Sequence, residues 1–261
     1  MQKNNFFENI KFYILMSACI KFIKNQHNIE SVTTPRKELE TEFVADFIPN
    51  NLKFERKIIL VIGAPGSGKS TYIKKQYKNG YAVFDSDQVI FKHPLWKKYG
   101  KETSNSNSNQ LNLINCISNR ISNIEAKHQI DLLQQGANII KQLNNPKTAL
   151  SYSEYIRKFE PDYEIAFVWV HVPLKIAIER ANKRKNEVGF LLTSDFIKTR
   201  YVTQLHEFTH LSVIPGLNIR VYDGVKQNYI KNWKIVSTRN GMYLSKNKST
   251  LKKHIKYKYN I

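Results

Sequence analysis

Cysteine is scarce in this sequence, and its scarcity excludes several classes of protein. Only two cysteines occur in 261 residues, Cys19 and Cys116. They lie in unrelated sequence contexts, which predicts neither a disulfide framework nor a zinc site, because both need cysteines or histidines at short, recurring spacings. Such cysteine usage is typical of a protein of the reducing cytosol, so we expect a cytoplasmic location.

The sequence also lacks a long uninterrupted apolar segment. Residues 6–23 are partly apolar, but Glu8, Lys11 and Lys21 interrupt them. A membrane-spanning helix needs about 20 mostly apolar residues, and a signal peptide needs a clean apolar run before its cleavage site. We therefore predict no transmembrane segment and interpret residues 6–23 as an amphipathic helix that docks on the protein or a partner. Binding to a membrane surface is the alternative.

Acidic residues are absent from the C-terminal part of the chain. No Asp or Glu follows Asp223, whereas residues 225–261 contain ten Lys and Arg. This segment therefore carries about half of the formal net charge of +20. Such a positive field favours anionic partners, namely nucleotides, nucleic acid or acidic membrane surfaces. We expect a basic tail that contacts a polyanion.

The most specific motif present is a phosphate loop between a strand-like and a helix-like segment. An apolar run at 58–62 is followed by Gly63, Ala64, Pro65, Gly66, Ser67, Gly68, Lys69, Ser70 and Thr71. This is the pattern G-x-x-x-x-G-K-[ST], whose backbone N–H groups surround phosphate oxygens. Lys69 is expected to reach the β- and γ-phosphates, and Ser70 to hold Mg²⁺. The motif predicts binding of a nucleoside triphosphate.

Strand-like and helix-like segments alternate through the middle of the chain. Predicted strands cover residues 58–62, 81–84, 137–140, 163–172 and 218–222, and predicted helices cover 69–78, 111–135, 151–159, 174–186 and 194–208. Residues 103–110 are rich in Ser and Asn and are predicted to form a loop. The alternation predicts an α/β protein with the P-loop NTPase fold, in which helices flank a mostly parallel sheet.

The two ends of the chain differ from this alternating core. Helices are predicted near residues 5–24 and 36–48, which gives an N-terminal helical extension. Near the other end, residues 234–238 and 242–244 flank Asn240-Gly241 and predict a β-hairpin before the basic tail. We therefore predict a helical extension over 1–55, a core domain over 56–224, and a basic hairpin and tail over 225–261.

Two carboxylates follow the second predicted strand. Asp85 and Asp87 stand directly after residue 84. In an open α/β sheet the carboxyl ends of the strands line the ligand crevice. A carboxylate there can accept the proton of a hydroxyl that attacks the γ-phosphate. Asp87 is the preferred candidate for this role. The alternative is that both acids stabilise a turn or cap a helix.

Two arginines share one face of a predicted helix. Arg180 and Arg184 are four residues apart, so their side chains lie on the same side. Two guanidinium groups can clamp phosphates and offset the charge that develops during phosphoryl transfer. The alternative is a solvated basic face, because Lys183 and Lys185 lie alongside.

The core strands lack a following carboxylate. Lys141 and Gln142 follow the third predicted strand, and Pro173 follows the fourth. Motor ATPases and GTPases usually place an acid at such a position to order Mg²⁺ and water. Its absence favours a small kinase over a hydrolase motor or a switch protein.

Together these motifs resemble those of the zeta toxin family of P-loop kinases. The matching features are the phosphate loop at 63–70, Phe84-Asp-Ser-Asp87 with His93-Pro94, the approach to the third strand at 135–140, the helix 176–184 and the strand 221–223. They follow the order found in the family and span about residues 55–224. The resemblance identifies residues 56–224 as a zeta-toxin-like kinase domain.

The resemblance implies transfer of the γ-phosphate of ATP to a hydroxyl of a small molecule. Characterised members phosphorylate UDP-amino sugars, and some relatives use nucleotides or other small molecules. By analogy Asp87 is the base that activates the acceptor, Lys69, Arg180 and Arg184 stabilise the moving phosphate, and Ser70 binds Mg²⁺. The residues assigned to the substrate are Asp85, His93 and Glu125. An inhibitory partner protein is implied as well.

The sequence departs from the family pattern at two places. Gln142, Leu143 and Asn144 stand where the family has an acid and a Thr, and Phe190 stands where it often has an Arg. These departures predict a different acceptor or a reduced activity. Two alternatives therefore stay open. One is a nucleotide or nucleic-acid end kinase, which the net charge favours. The other is a catalytically silent nucleotide-binding module.

Overall fold

The computed structural model describes residues 47–77, 79–100, 107–188, 192–212, 214, 217–231, 233–238 and 241–245. The predicted N-terminal helices and the basic tail beyond residue 245 lie outside these ranges. Of the described helices, none is long and apolar enough to cross a membrane.

The described chain alternates strands and helices around one main sheet. Its elements are β1 (Lys57–Ile62), α1 (Lys69–Gln76), β2 (Ala82–Phe84), α2 (Ser86–Lys92), α3 (Pro94–Tyr99), α4 (Asn107–Gln134), β3 (Ile139–Leu143), α5 (Pro146–Phe159), β4 (Glu164–His171), α6 (Leu174–Val188), α7 (Ser194–Leu211), β5 (Ile219–Asp223), β6 (Asn228–Ile230), β7 (Lys234–Thr238) and β8 (Gly241–Ser245). The main sheet has the order β2-β3-β1-β4-β5-β6. Strands β1 to β5 pair in parallel and β6 pairs antiparallel to β5. The predicted α/β class with a mostly parallel sheet is confirmed.

Strand β1 lies at the centre of this sheet because its residues are apolar on both faces. Residues 58–62 are all buried, and they pair with β3 on one side and β4 on the other. A strand covered on both faces has a continuous apolar sequence. The carboxyl ends of three neighbouring parallel strands therefore meet at one edge, where the chain leaves β1 for the phosphate loop.

The described chain consists of two compact units. The larger unit contains residues 49–84, 133–184 and 192–245 within the described ranges, and thus all the strands. The smaller unit contains residues 85–132 and 185–188 together with Phe47 and Ile48. The predicted division at residues 55 and 224 stays a prediction.

Aromatic side chains form a large part of the core of the larger unit. Tyr72 of α1 is 1% exposed and contacts the rings of Tyr77, Tyr222 and Tyr229 at centroid distances of 4.6–6.4 Å. Its hydroxyl forms a 2.6 Å hydrogen bond with that of Tyr229. On another part of the sheet, Trp169 stacks on Phe208 at 4.1 Å and meets the edge of Trp233 at 6.1 Å.

The smaller unit has an apolar core of its own, built by α2, α3 and α4. Its buried residues are Val89, Ile90, Leu95, Trp96, Tyr99, Leu113, Cys116, Ile117 and Ile121.

Several element boundaries differ from those predicted. The third strand is predicted to end at residue 140 but continues to Leu143, because Lys141, Gln142 and Leu143 pair with β1. The predicted loop over 103–110 is wrong for residues 107–110, which begin α4. There Gln110 is fully buried and donates to the carbonyl of Gly100 at 3.1 Å, and this tertiary contact outweighs the polar composition.

The β-hairpin predicted around Asn240-Gly241 is confirmed. Strands β7 and β8 pair antiparallel, with Thr238 opposite Gly241 and Lys234 opposite Ser245. They form a separate two-stranded sheet. The additional strand β6, which was not predicted, is only three residues long and shows too little alternation to be recognised.

Candidate functional site

The phosphate loop between β1 and α1 is held by close packing of main chain against main chain. The Gly63 N–H donates to the carbonyl of Leu143 at 3.2 Å, and the Ser67 N–H donates to that of Ala64 at 3.0 Å. Gly66 has φ +79°, and a Cβ added there would lie 2.2 Å from the carbonyl oxygen of Ala177. Only glycine fits this position, both for its left-handed backbone and for its contact with α6.

Helix α1 begins without a side-chain cap. Its N-cap residue, Gly68, has φ +95° and offers no side-chain acceptor. The first-turn N–H groups of a helix need a partner, and together with the helix dipole they attract an anion. A phosphate group bound in the loop would satisfy them. This geometry fits the predicted role of the loop.

Lys69 and Ser70 face residues at the end of β3. The Lys69 ammonium donates to the carbonyl of Gly63 and to Oδ1 of Asn144, both at 2.8 Å. The Ser70 hydroxyl lies 3.4 Å from Oε1 of Gln142. Two positions that depart from the family pattern therefore contact the phosphate loop itself.

The predicted Mg²⁺ position is compatible with these groups. Mg²⁺ binds oxygen ligands and usually keeps several waters and phosphate oxygens, so it needs few protein ligands. The Ser70 hydroxyl and the Gln142 amide oxygen are neutral oxygens of the required kind. No cluster of three or more His, Cys, Asp or Glu that could hold a metal occurs among the described residues.

Arg180 of α6 joins the phosphate loop to the end of β5. Its guanidinium donates to the carbonyl of Ser67 at 3.4 Å and to that of Gly224 at 3.0 Å. Gly224 approaches the loop so closely that an added Cβ would lie 2.6 Å from the Ser67 carbonyl oxygen. The predicted arginine is thus placed directly beside the loop. Arg184 lies four residues later in the same helix and is half-buried.

A cavity of about 210 Å³ opens beside Arg180 and the start of α1. It is lined by Gly68, Thr71, Tyr72, Lys75, Arg180, Tyr222, Gly224 and Gln227. Asp223 shapes the adjoining turn, since its buried carboxylate accepts the N–H groups of Val225 and Lys226 at 2.9 and 3.1 Å. The residues of this cavity that follow β5, Gly224 and Gln227, were not predicted as site residues. The sequence signal that could have identified them is their position directly after the last parallel strand, where ligands bind in open α/β sheets.

A second cavity, of about 180 Å³, adjoins the phosphate loop at Pro65. It is lined by Pro65, Leu143, Asn144, Asn145, Thr148, Phe196 and Arg200. The two cavities share no lining residue. Except for Pro65, no residue of the second cavity was predicted as a site residue.

The remaining predicted site residues belong to the smaller unit. They are Asp85, Asp87, His93 and Glu125. Asp85 is buried before α2 and accepts a hydrogen bond from Nε2 of Gln88 at 2.9 Å. Asp87 is half-buried in the first turn of α2, where the helix dipole stabilises a negative charge.

His93 and Glu125 have hydrogen-bond partners inside the smaller unit. Nδ1 of the fully buried His93 accepts the N–H of Leu95 at 3.2 Å and so caps α3. The buried Glu125 carboxylate accepts a hydrogen bond from Nε2 of Gln129 at 3.0 Å. These contacts give both side chains a structural role, and their predicted substrate roles stay predictions.

A solved structure with a similar fold indicates the fold class of this chain. The structure of the PezAT chromosomal toxin–antitoxin system of Streptococcus pneumoniae is 14% identical, with a TM-score of 0.56, over 76% of this chain and 82% of that chain. This chain shares the fold of that structure, and the predicted resemblance to the zeta toxin family is confirmed at the level of fold.

The family assignment follows from the sequence. Residues 58–200 match the family model AAA_33, described as an AAA domain, and the chain therefore belongs to that family. No curated protein sequence matches the chain.

Two further solved structures have lower similarity. Deoxyadenosine kinase of M. mycoides with bound dATP is 18% identical, with a TM-score of 0.38, over 64% of this chain and 91% of that chain. AvrRxo1-ORF1:-ORF2 with ATP is 11% identical, with a TM-score of 0.45, over 78% of this chain and 60% of that chain.

Proposed function

We propose that this protein is an ATP-dependent kinase that transfers the γ-phosphate to a hydroxyl group of a small molecule. The observation that carries the proposal is the phosphate loop with Lys69 and Arg180 around it. Both cations contact loop carbonyls, so they stand beside the position a phosphate chain takes in such a loop. The family and the fold support this function.

The cavity beside Arg180 suits the nucleoside end of ATP. It begins at Gly68 and Thr71, next to the uncapped first turn of α1, and it has both aromatic and polar walls. Ligand cavities are mostly apolar with a few placed polar groups. We infer that the phosphates occupy the loop while the nucleoside lies between α1 and the turn after β5.

The proposed step is a direct phosphoryl transfer. Asp87 accepts the proton of the acceptor hydroxyl, whose oxygen forms a bond to the γ-phosphorus. The bond to the β–γ bridging oxygen breaks, and ADP leaves with that electron pair. Lys69, Arg180 and Arg184 offset the negative charge on the moving phosphate. Bound Mg²⁺, held by Ser70, would neutralise further phosphate charge.

The role of Asp87 is tested by Asp87→Asn, which keeps the size of the side chain and removes the base. We expect phosphoryl transfer to fall about 10²- to 10⁴-fold, the typical contribution of a general base. ATP affinity should change less than about twofold. Transfer is measured with radiolabelled ATP and a panel of hydroxylated metabolites, and affinity by calorimetry with a non-hydrolysable ATP analogue.

Asp195→Asn is the matched control, because Asp195 also lies in the first turn of a helix, α7. Both variants lose an interaction with a helix dipole, so the loss of transfer in Asp87→Asn beyond that in Asp195→Asn is the part that the helix dipole does not explain. Equal activity of the two variants would exclude Asp87 as the base. Labelling of RNA or DNA ends alone would favour an end kinase, and ATP binding without transfer to any acceptor would favour a silent binding module.

A further inference from the structure

The second cavity, at Pro65, is lined by hydrogen-bond donors that have no acceptor among the described residues. Oδ1 of Asn144 accepts from the Lys69 ammonium at 2.8 Å, and Oδ1 of Asn145 accepts the N–H of Thr148 at 3.1 Å. These contacts fix both amide groups, because an oxygen must face each donor. Each side chain therefore has its NH₂ group left to donate.

Three main-chain acceptors beside this cavity already have partners. The Asn144 carbonyl accepts from Nε2 of Gln204 at 2.6 Å. The Leu143 carbonyl accepts the Gly63 N–H at 3.2 Å, and the Asn145 carbonyl accepts the Ala149 N–H at 3.2 Å. The first turn of α5 is satisfied as well, since the Glu207 carboxylate accepts the Lys147 N–H at 3.2 Å. The cavity thus has an excess of donors, which come from side chains and not from a helix end.

Arg200 of α7 adds a positive charge to the same cavity. Its guanidinium carbon lies 5.2 Å from the centre of the Phe196 ring, an arrangement that orients the planar group. Within the described ranges, no carboxylate forms an ion pair with Arg200. Phe196, Leu143 and Pro65 supply apolar walls beside it.

We propose that this cavity, defined by Arg200, Asn144 and Asn145, binds an anionic group of the phosphoryl acceptor, a phosphate or a carboxylate. A site of donors and one guanidinium is complementary to an oxyanion, which only accepts hydrogen bonds. Because Asn144 also contacts Lys69, the anion would be anchored next to the reacting phosphates. The assignment of the anion to the phosphoryl acceptor rests on the proposed kinase function, whereas anion binding itself does not.

The size of the cavity limits what it holds. A volume of about 180 Å³ is below the roughly 300–1,000 Å³ of pockets that enclose a drug-sized ligand. It accommodates one anionic head group and a few attached atoms. The acceptor class is therefore a small hydroxylated acid or a phosphate ester, whose remaining atoms extend out of the cavity.

The test is equilibrium binding of inorganic phosphate to the full chain already saturated with a non-hydrolysable ATP analogue, which keeps phosphate out of the loop. We expect the parent to bind phosphate and Arg200→Gln to bind it about tenfold or more weakly, the loss expected for one charge-assisted hydrogen bond. Lys198→Gln is the matched control, because Lys198 is an exposed cation of α7 that does not line the cavity.

Asn145→Asp is a second variant that separates binding from folding. Aspartate caps a helix as well as asparagine does and favours its positive end, so the melting temperature should stay equal or rise. The same change replaces a donor with a negative charge, so phosphate affinity should fall at least as much as in Arg200→Gln. Unchanged phosphate affinity in either variant would overturn the assignment.

The remaining outcomes distinguish this inference from the proposed function. Malonate, a dicarboxylate, is tested in the same assay as phosphate. If the parent binds neither anion, the anion site is overturned, whatever the kinase activity. Malonate binding that Arg200→Gln weakens, without phosphate binding, supports the site and identifies the group as a carboxylate. Phosphate binding that depends on Arg200, in a protein that transfers no phosphate to any acceptor, supports the anion site and contradicts the kinase function.

Discussion

Gln142 and Asn144 put amide groups where the related family has an acid and a Thr after its third strand. Gln142 faces Ser70 and Asn144 faces Lys69, each in direct contact with the loop. An amide oxygen accepts a hydrogen bond from the lysine without holding it in an ion pair. Lys69 can therefore exchange this contact for a phosphate at lower cost than if a carboxylate stood there.

Gly66 lies too close to helix α6 to tolerate a side chain. A Cβ at Gly66 would lie 2.2 Å from the Ala177 carbonyl oxygen, whereas a Cβ at Gly136 would lie 3.4 Å from a flexible Arg56 side chain. Both glycines have φ near +80°. Gly136→Ala should cost about 1–2 kcal/mol for the left-handed backbone alone. Gly66→Ala should cost about 1–3 kcal/mol more, because the main chain must move.

Urea unfolding of the two variants gives the difference in stability, and calorimetry with an ATP analogue gives the effect on the loop. Nucleotide affinity should fall in Gly66→Ala and stay unchanged in Gly136→Ala. Equal stability of the two variants would show that the close approach to α6 is absent in solution.

Helix α1 carries a buried tyrosine, Tyr72, on which the free energy of unfolding at alkaline pH depends. Burial, and next its hydrogen bond with Tyr229, raise the pKa of Tyr72 above its ordinary value of 10. Above pH 10 the unfolded chain loses this proton while the folded chain keeps it, so stability is intact below pH 10 and falls as the pH rises further. The slope is at most about 1.4 kcal/mol per pH unit for one group.

Tyr72→Phe should flatten this alkaline decline while lowering stability at pH 8 by about 1 kcal/mol through the lost hydrogen bond. Urea unfolding between pH 8 and 11 measures both effects. Tyr155→Phe is the control, because Tyr155 is 45% exposed and lies on the surface of α5. An alkaline slope that Tyr72→Phe leaves unchanged would mean that this tyrosine ionises as readily when folded.

Elements with a local signal were predictable from sequence, and those that depend on tertiary contacts were not. The apolar runs of β1 and β4 and the phosphate loop are contiguous motifs, and the alternation around them predicted the sheet. The short α3 begins at a His93 cap with Pro94 in its first turn, a signal too brief to be distinguished from a turn. The end of β3 depends on pairing with β1, which only the fold determines.

The residues of the candidate site likewise fall into those with a local sequence signal and those that only the fold brings together. Lys69, Ser70 and Arg180 were predictable because a motif or a helical spacing marks them. The second cavity brings Asn144 together with Phe196 and Arg200, which are more than fifty positions away in the sequence. No periodicity links such residues, so local patterns could not predict the acceptor end of the site.

In the molecule as a whole, the concentration of positive charge near the C-terminus predicts that this segment contributes to polyanion binding. Deleting residues 246–261 removes six lysines and no acidic residue. Binding of single-stranded RNA at low salt should weaken, and the slope of log affinity against log salt should shrink by about 0.7 for each RNA phosphate that the tail neutralises. Affinity for the ATP analogue should change less than about twofold, because the loop and both cavities lie outside this segment.

Fluorescence anisotropy of labelled RNA at several salt concentrations measures the first effect, and calorimetry measures the second. A full-length variant with the six lysines changed to glutamine is the control for chain length. Equal loss of RNA and nucleotide binding would contradict the view that the tail is peripheral to the nucleotide site.

The distribution of tryptophan gives each compact unit its own optical reporter. Trp96 is buried in the core of the smaller unit, while Trp169 and Trp233 lie in the larger one, and the sequence contains no other tryptophan. A Trp96→Phe variant therefore emits only from the larger unit, and a variant lacking Trp169 and Trp233 emits only from the smaller one. Comparing their denaturation midpoints reveals whether the part that carries Asp87 melts together with the part that carries the phosphate loop.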